Sequence, residues 1–448
     1  MKNKFEEKSL EKSIKEVSEN FLAKTKNKEI YLVSHFDTDG ITSAAIMIKG
    51  LKRLDRKFSV KIVKSLEEKF IKNLPKDKVI LFLDLASGAL DYIKEGGFDE
   101  VFIIDHHEVD QEVPKNVEII NPWFNDKEKI STAGLVYLFC KEINSRNKDL
   151  AKLAVLGMIG DLMEDHLEDL DMEIFKESDV KTKKGLLLYP STRPINRTLE
   201  YSSNPYIPGV TGNSQGVLEL IRESGINPEN GRYKCLLELD DNEMKKLTTA
   251  IMLRNPKSSR NIIGNIYLLK FFNKLEDARE LSAMINACSR LGNSGVALRF
   301  CLEVPQAKKE AGEIHAKYKQ HIISGLETVS EIDKIKGDGF IIINAQDKIK
   351  DTIIGTIASI LSNSPEYKEG TVITTMAYYE QKIKISARIC GREDNGRNLR
   401  EVLGKVINEI GGEVGGHKFA AGGIITKDKE EDFIEILKKN FEVETVKV

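Results

Sequence analysis

The sequence predicts an α/β protein whose first domain contains a doubly wound, mainly parallel sheet. It further predicts a middle, mostly helical insertion, a long connecting helix and a smaller α/β C-terminal domain. Three observations carry this prediction. Short apolar runs alternate with helical patterns near the start, proline-rich turns interrupt the middle, and apolar runs of strand length return near the end. The predicted domain limits are residues 1–181, 182–304, 305–336 and 337–448.

The composition is typical of a globular protein. Of the 448 residues, 41% are hydrophobic, and the five cysteines include no close pair that would form a zinc site or a disulfide framework. The formal net charge of −2 argues against a broad basic surface, so a polyanion would bind at local patches. The first twenty residues carry no apolar leader pattern, and no uncharged apolar run is long enough to span a membrane. We therefore expect a cytoplasmic protein without a membrane partner.

The elements predicted for the first domain end in polar residues. The chain begins with an amphipathic helical pattern at 5–24, and four short apolar runs predict strands at 29–34, 79–83, 101–104 and 117–120. Helical patterns occupy 41–54, 131–143 and 150–159. The polar residues that follow these elements are His35, Asp37, Asp39, Asp84, Asp105, His106, His107 and Asp161. Because ligands bind at the carboxyl ends of parallel strands, we expect these side chains to gather in one crevice.

Carboxylates and imidazoles at one sheet edge indicate a site for divalent metal ions. In an extended segment, residues two apart share a side, which places His35, Asp37 and Asp39 together. Carboxylate with neutral imidazole suits Mn²⁺, Mg²⁺ or Zn²⁺. Asp161 ends an apolar helix, where an unpaired carboxylate would be costly and a cation is expected. The alternative is a chance loop composition with Asp39 as a helix cap, which explains one carboxylate but not the set.

The same residues resemble the motifs of the DHH phosphoesterase superfamily in their order and setting. Near the other end, residues 415–423 resemble the glycine-rich signature of the DHH-associated domain, and residues 386–388 resemble its phosphate-binding strand. The likeness is greatest to the archaeal RecJ-like exonucleases. Residues 286–292 resemble a segment of that subgroup, whereas the rest of the middle region resembles it only loosely.

The resemblance implies hydrolysis by water that is activated at two divalent metals, with Mn²⁺ favoured over Mg²⁺ because imidazole ligands suit the softer ion. One metal would be held by His35 and Asp37 and the other by Asp39, His106 and Asp161, with Asp84 bridging. Asp105 would be a ligand or would orient the ligands, and His107 would contact the scissile phosphate or assist the leaving oxygen. The implied phosphate-binding residues are Arg388, Gly415, Gly416, His417, Ala420 and Gly422.

The middle region admits two interpretations. Its turn-rich segments carry Arg193, Arg197 and Tyr206, and a small basic turn follows at 254–260. Arginine and aromatic side chains stack on bases and pair with phosphates, so these residues would bind a nucleic-acid strand. The alternative is an ordinary connection between domains. Helical patterns at 214–224 and 241–253 make this region mostly helical.

The last two regions have clearer patterns. Residues 305–332 lack internal proline and have helical spacing of their apolar residues, which predicts the connecting helix. The C-terminal domain is predicted to have strands at 339–344, 371–376 and 382–388 and helices at 352–361, 398–410 and 433–441. A glycine-rich loop at 411–423 would cradle phosphate with its N–H groups.

The predicted function is removal of nucleotides from an end of single-stranded DNA or RNA, in DNA repair or replication. Replication proteins such as GINS are candidate partners. One alternative is a phosphodiesterase that cuts oligonucleotides, dinucleotides or cyclic dinucleotides with the same metal site. Another is a replisome scaffold of the same fold, which is disfavoured because inactive members lose ligands and this chain keeps them all. An inorganic pyrophosphatase fits less well, because the middle region and the terminal domain suit a larger substrate.

Overall fold

The computed structural model describes residues 9–125, 129–165, 167–203, 205–257, 262–391 and 396–445. Its strands are β1 (Ile30–His35), β2 (Phe58–Val63), β3 (Val79–Leu83), β4 (Val101–Ile104), β5 (Val117–Ile120), β6 (Lys181–Leu186), β7 (Ile263–Phe271), β8 (Lys274–Asp277), β9 (Ile335–Gly337), β10 (Phe340–Asn344), β11 (Val372–Tyr379), β12 (Lys382–Ile389), β13 (Glu413–His417) and β14 (Ala420–Thr426).

The helices in the same part of the chain are α1 (Leu10–Lys24), α2 (Thr38–Arg53), α3 (Glu68–Lys72), α4 (Leu90–Gly96), α5 (Thr132–Ile143), α6 (Ala151–Gly160), α7 (Asp169–Glu177), α8 (Ile195–Glu200), α9 (Ser214–Glu223), α10 (Asp241–Arg254), α11 (Ala278–Arg290), α12 (Ser294–Cys301), α13 (Pro305–Glu331), α14 (Asp351–Ser362), α15 (Leu399–Ile410) and α16 (Glu430–Thr445). None of these helices is both long and apolar enough to cross a membrane.

The chain divides into two compact units. The first comprises the described residues up to Lys183 together with Tyr267–His315, and the second comprises Lys184–Ile266 together with the described residues from Ala316 onward. Residues 267–304, which the sequence analysis placed in the middle region, thus lie in the first unit. The reason is the apolar face of α11, whose Leu281, Ile285 and Cys288 are buried in the same core as α2 and α6. The predicted domain limits stay a prediction.

The first unit is built on a parallel sheet with the strand order β2-β1-β3-β4-β5. Strands β3 and β4 are buried along their whole length. Alternate residues of β3 enter two separate cores, Leu81 on one side of the sheet and Phe82 on the other. Apolar runs without alternation are typical of strands covered on both faces. This arrangement confirms the predicted doubly wound sheet.

The strand order places a switch point between β1 and β3. The strand that follows β1 in the chain, β2, lies on one side of it, whereas β3, β4 and β5 continue on the other side. Chain connections therefore leave β1 and β3 in opposite directions and open a crevice at their carboxyl ends. Helices α2, α5 and α6 pack on one another beside this crevice.

The second unit contains a mixed sheet with the strand order β13-β14-β12-β11-β10-β9. Only β10 and β11 pair in parallel, and the other neighbours are antiparallel. Helices α15 and α16 bury Leu403, Val406, Phe433 and Phe441 in one core with this sheet. Helices α8, α9 and α10 surround a separate core. The helical middle region and the mixed C-terminal sheet match the prediction, and so does the long helix α13.

The predicted glycine-rich loop is instead a β-hairpin formed by β13 and β14. Gly416 has a φ of 117°, and a Cβ there would lie 2.6 Å from the Cα of Ala421. Glycine therefore allows an extended, close pairing that a side chain would prevent. The prediction of a loop was wrong because glycine is depleted in ordinary strands.

Gly157 lies at the crossing of α6 with its neighbours, and Gly157→Ala is expected to destabilise the protein by about 2–3 kcal/mol through overpacking. An added Cβ would lie 2.6 Å from Oδ1 of Asp39 and 2.7 Å from Oγ1 of Thr42. Denaturant unfolding monitored by circular dichroism measures the loss.

Gly312→Ala is the matched control, because Gly312 also lies in a helix of the first unit but has nothing within 4 Å of the new Cβ. This change should stabilise the helix by up to about 1 kcal/mol. Equal effects of the two substitutions would contradict the close packing at Gly157.

Candidate metal centre

The predicted ligands are brought to the carboxyl edge of the parallel sheet. His35 ends β1, Asp84 follows β3 and Asp105 follows β4. Asp39 lies in the first turn of α2, and Asp161 caps the end of α6. His35 and Asp39 share one connection, so four segments that are distant in sequence deliver polar side chains to the switch point of the sheet.

Asp84 occupies the middle of this arrangement. Its Oδ2 lies 3.3 Å from Nδ1 of His35, and its Oδ1 lies 3.7 Å from Nε2 of His106. Each of these imidazoles also contacts a second carboxylate. Nδ1 of His35 lies 3.1 Å from Oδ2 of Asp37, and Nε2 of His106 lies 3.4 Å from Oδ2 of Asp161. The two oxygens of one buried carboxylate thus face two imidazoles that come from different loops.

Three groups of side chains among the described residues have ligand atoms that all lie within 4.8 Å of one another. These groups are His35 with Asp37 and Asp84, Asp39 with His106 and Asp161, and Asp84 with His106 and His107. Carboxylate oxygen and imidazole nitrogen form a donor set that suits divalent metals of the first transition row.

The amino end of α5 holds two of the carboxylates. The backbone N–H groups of Thr132 and Ala133 donate to Oδ2 and Oδ1 of Asp39 at 2.8 and 2.9 Å. The Thr132 hydroxyl donates to Oδ1 of Asp84 at 3.0 Å. The positive end of the helix dipole favours negative charge here. Sequence reasoning did not assign Thr132 or Ala133 to the site, although it placed a helical pattern at 131–143.

Helix α11, which follows much later in the chain, forms hydrogen bonds with the start of α2. The N–H of Thr38 donates to Oδ1 of Asn286 at 3.1 Å, and the Thr38 hydroxyl donates to the carbonyl oxygen of Ser282 at 3.1 Å. Both contacts come from α11. Sequence reasoning missed Ser282 and Asn286, because nothing local shows that α11 packs beside the loop that carries Asp37 and Asp39.

Asp105 is fully buried and accepts hydrogen bonds from its own loop and from the loop after β3. It accepts hydrogen bonds from the backbone N–H of Ser87 at 3.1 Å and of His106 at 2.9 Å, and from Nδ1 of His107 at 2.7 Å. The amide of Asn121 donates to the His107 carbonyl oxygen at 2.9 Å. Asp105 belongs to none of the three groups that the described residues form.

Burial and mutual repulsion raise the pKa of three carboxyl groups. For Asp161, burial and the charges of Asp39 and Asp37 raise the pKa to about 9. Burial and the same two charges raise the pKa of Asp84 well above its usual range. Burial also raises the pKa of Asp39, against the opposing charge of His106.

The imidazoles of His107 and His35 lower the pKa of Asp105 and Asp37, respectively. Burial would raise the pKa of Asp105, but the hydrogen bond and charge of His107 outweigh it and lower the pKa to about 2. The same hydrogen bond raises the pKa of His107. Burial is likewise outweighed at Asp37, whose pKa is lowered by the hydrogen bond and charge of His35.

These carboxylates fit a metal centre. Asp39 and Asp84 are buried, and the charge of Asp39 raises the pKa of both Asp84 and Asp161. Several buried carboxylates cannot all be ionised at neutral pH without added positive charge. Divalent cations would provide that charge, and the surrounding oxygens and nitrogens are the atoms that such cations bind.

The residues predicted to bind phosphate lie on neighbouring strands of the second unit. Arg388 of β12 pairs with Ala420 of β14, which in turn pairs with His417 of β13. Gly422 pairs with Gly415, and Gly416 lies next to it in β13. The guanidinium of Arg388 donates to the hydroxyl of Ser359 at 3.1 Å and to the carbonyl oxygen of Ala387 at 2.8 Å. The structure therefore brings this predicted set together.

The predicted strand-binding residues of the middle region have different settings. Arg193 is exposed, and Arg197 is exposed on α8, where it forms an ion pair with Glu200 at 2.9 Å. Tyr206 is half-buried, and its carbonyl oxygen accepts a hydrogen bond from Asn255 at 2.8 Å.

The basic turn at 254–260 is only partly available for a ligand. Arg254 donates to Glu223 at 2.6 Å, and the Lys257 ammonium donates to the carbonyl oxygens of Ser364, at 3.1 Å, and Tyr367. The rest of the turn, residues 258–260, lies outside the described residues. Arg254 and Lys257 thus serve contacts within the second unit.

Three family models match successive parts of the chain. The model of the DHH family, N-terminal domain, matches residues 29–158, which include the metal-centre residues up to His107. The DHH-CID domain matches residues 188–261, and the DHHA1 domain matches residues 337–442, which include Arg388 and the glycine hairpin.

Similar proteins extend over almost the whole chain. An uncharacterized protein of Methanocaldococcus jannaschii is 29% identical over 450 residues, which cover 96% of each chain. An exonuclease RecJ structure bound to manganese is 18% identical, with a TM-score of 0.59, and the match covers 96% of this chain and 94% of that one. CDC45 from Entamoeba histolytica is 11% identical, with a TM-score of 0.67 and coverage of 96% and 99%. These two structures show the fold alone.

In the metal-free protein, we expect the free energy of unfolding to fall as the pH rises from about 5 to about 9. An unfolded aspartate has a pKa of about 4, whereas that of folded Asp161 is about 9. Over this window the folded state keeps a proton that the unfolded state has lost, so rising pH destabilises it by at most about 1.4 kcal/mol per pH unit for one such group. Urea unfolding in EDTA at several pH values measures the slope.

Asp161→Asn should flatten this slope and stabilise the metal-free protein at pH 8. The asparagine is neutral in both the folded and the unfolded state, so unfolding of the variant releases no proton from this position. Asp149→Asn is the matched control from the same unit. The hydrogen bond from Arg53 lowers the pKa of Asp149, so its replacement should slightly destabilise the protein at neutral pH. A slope unchanged by Asp161→Asn would contradict the predicted repulsion.

Proposed function

The chain belongs to the DHH family, and on that premise we propose that it is a two-metal phosphodiesterase that removes nucleotides from an end of single-stranded DNA or RNA. The observation that carries the proposal is the setting of Asp84. This carboxylate is buried, and its two oxygens face His35 on one side and His106 on the other. A carboxylate so placed is suited to bridge two cations.

One cation would have three protein ligands and the other four, because Asp84 would reach both. His35, Asp37 and Asp84 would hold the first, and Asp39, His106 and Asp161 would hold the second together with Asp84. Divalent cations bound at such a site lower the pKa of water and neutralise the negative charge that develops on a phosphoryl group. Mn²⁺ is the proposed native ion, because each set includes an imidazole, and Mg²⁺ would also bind.

Asp105 and His107 are proposed to act as a pair beside the metal ligands. The hydrogen bond from Nδ1 of His107 to Asp105 fixes the ring and leaves Nε2 for a substrate. Because the pKa of His107 is raised and its side chain is 56% exposed, a protonated His107 would donate to the leaving oxygen. Asp105 is then a positioning residue rather than a metal ligand.

The second unit would hold the strand. Arg388 and the hairpin at Gly415 to Gly422 form a compact group with one guanidinium, one imidazole and exposed backbone, which suits successive phosphates. Exposed Arg193 and Arg197 would extend this contact along a longer strand. Roles in repair or replication, and docking on proteins such as GINS, stay predictions.

Asp84→Ala is expected to abolish hydrolysis, with a loss of more than about 100-fold, because even outer-shell partners of a metal site contribute 10- to 100-fold. The assay follows end-labelled single-stranded DNA and RNA with Mn²⁺ and resolves products by length. Asp149→Ala, which removes a carboxylate paired with Arg53 instead, should keep the wild-type rate.

Wild-type protein should shorten the strands from one end only. Activity on dinucleotides, with longer strands left intact, would replace the exonuclease by the small-substrate phosphodiesterase. Wild-type rates from Asp84→Ala would reject the metal centre altogether.

Arg388→Ala should weaken capture of a long strand more than it slows cleavage of a small activated phosphodiester, because in this proposal Arg388 would hold the strand and would not contact the reacting phosphorus. The two values of kcat/KM are compared at one salt concentration, since phosphate contacts are screened by salt. Lys382→Ala, at the other end of β12, is the matched control and should change neither rate. Equal losses on both substrates would place Arg388 at the metal centre instead.

A further inference from the structure

Leu162, beside the metal centre, is unusual in its backbone conformation and in its exposure to solvent. It follows Asp161, the last residue of the α6 cap, and its φ is +58°. Its side chain is 73% exposed, the largest value among the described large hydrophobic residues of the first unit. Glycine would be the better residue at this position on both counts, since it adopts the left-handed conformation without strain and exposes no apolar surface.

The residue is held in place by its surroundings. The N–H of Leu162 donates to the carbonyl oxygen of Ile159 at 3.2 Å, which closes the last turn of α6. Shortly after it, Glu164 forms an ion pair with Arg279 at 3.0 Å. An exposed leucine on so constrained a backbone presents a defined surface to a ligand.

Leu162 is also next to a group that would bind metal. Oδ2 of the preceding residue, Asp161, lies 3.4 Å from Nε2 of His106. A phosphodiester bound at that group would bring its sugar and base within reach of the neighbouring residue. Among the parts of a nucleotide, the face of the base is the one that an aliphatic side chain contacts favourably.

We infer that Leu162 packs against the nucleobase of the terminal nucleotide, the one that the metal centre would release. This inference rests on the proposed function and adds a contact with the base to a site otherwise built for phosphate. It explains why a strained, exposed leucine is found where glycine would be more stable. A sequence-tolerant contact of this kind suits an enzyme that acts on any terminal base.

The test compares Leu162→Gly with wild-type protein on two strands, one with a normal terminal nucleotide and one with an abasic tetrahydrofuran residue in its place. We expect kcat/KM to fall about tenfold on the normal strand and to stay unchanged on the abasic strand. Because glycine relieves the left-handed backbone, the Tm of the variant should equal or exceed that of the wild type.

Asp55→Gly is the matched control. Asp55 is exposed, follows the cap of α2 with a φ of +51°, and lies at the opposite end of that helix from the metal centre. It should affect Tm in the same direction and leave both rates unchanged.

Four results would overturn the inference. Equal losses on the two strands would show that Leu162 acts through the position of Asp161, and no loss on either would assign the exposed leucine to another partner, such as a protein. A lower Tm for Leu162→Gly would remove the argument from strain. If wild-type protein with Mn²⁺ cleaves a small activated phosphodiester but no strand at all, the proposed function fails, and the inference fails with it.

Discussion

The repulsion among carboxylates at the edge of the parallel sheet is the constraint on which the rest of the first unit depends. Asp39 and Asp84 are buried, and the charges of Asp39 and Asp37 raise the pKa of both Asp84 and Asp161. A fold that gathers acids in this way must compensate them or lose stability. The protein itself compensates only in part, through the amino end of α5 and the imidazoles of His35 and His106. The remaining negative charge is of the kind that bound divalent cations would neutralise.

The scaffold around the site is correspondingly rigid. Helices α2, α5 and α6 approach so closely at Gly157 that no side chain fits there. The amino end of α5 can therefore reach Asp39, and its Thr132 hydroxyl can reach Asp84. Helix α11 returns from far along the chain to hold Thr38. The small residue at the helix contact, the hydrogen bonds from α5 to the carboxylates and those between α11 and Thr38 thus fix the site before any ligand binds, as a preorganised site requires.

Much of this could be predicted from the sequence, because strands such as β3 and β4 are short, uninterrupted apolar runs that end in acids. The same signal placed the polar residues at the sheet edge. The pattern of apolar residues did not predict the features that depend on contacts between distant segments or on glycine. Strand β2 lies at the edge and is only half-buried, so it lacks the apolar run. The hairpin of β13 and β14 is formed by glycines that usually weaken strands. The contacts of α11 with α2 depend on packing between distant segments, which periodicity within one helix does not reveal.

Three non-glycine residues with a left-handed backbone conformation lie at or near the metal centre. Asp84, Ala86 and Leu162 have φ values of 60°, 93° and 58°, in the region that favours glycine, and each is a proposed ligand or lies within two residues of one. Such conformations persist only where the surroundings determine them, and they cluster at sites that bind ligands. At Asp84 the left-handed turn allows the N–H of Ser87 to reach Asp105, so the strain there positions the loop. Leu162, by contrast, is 73% exposed. The difference separates strain that the fold uses to build the site from strain that we infer to serve a contact with the substrate.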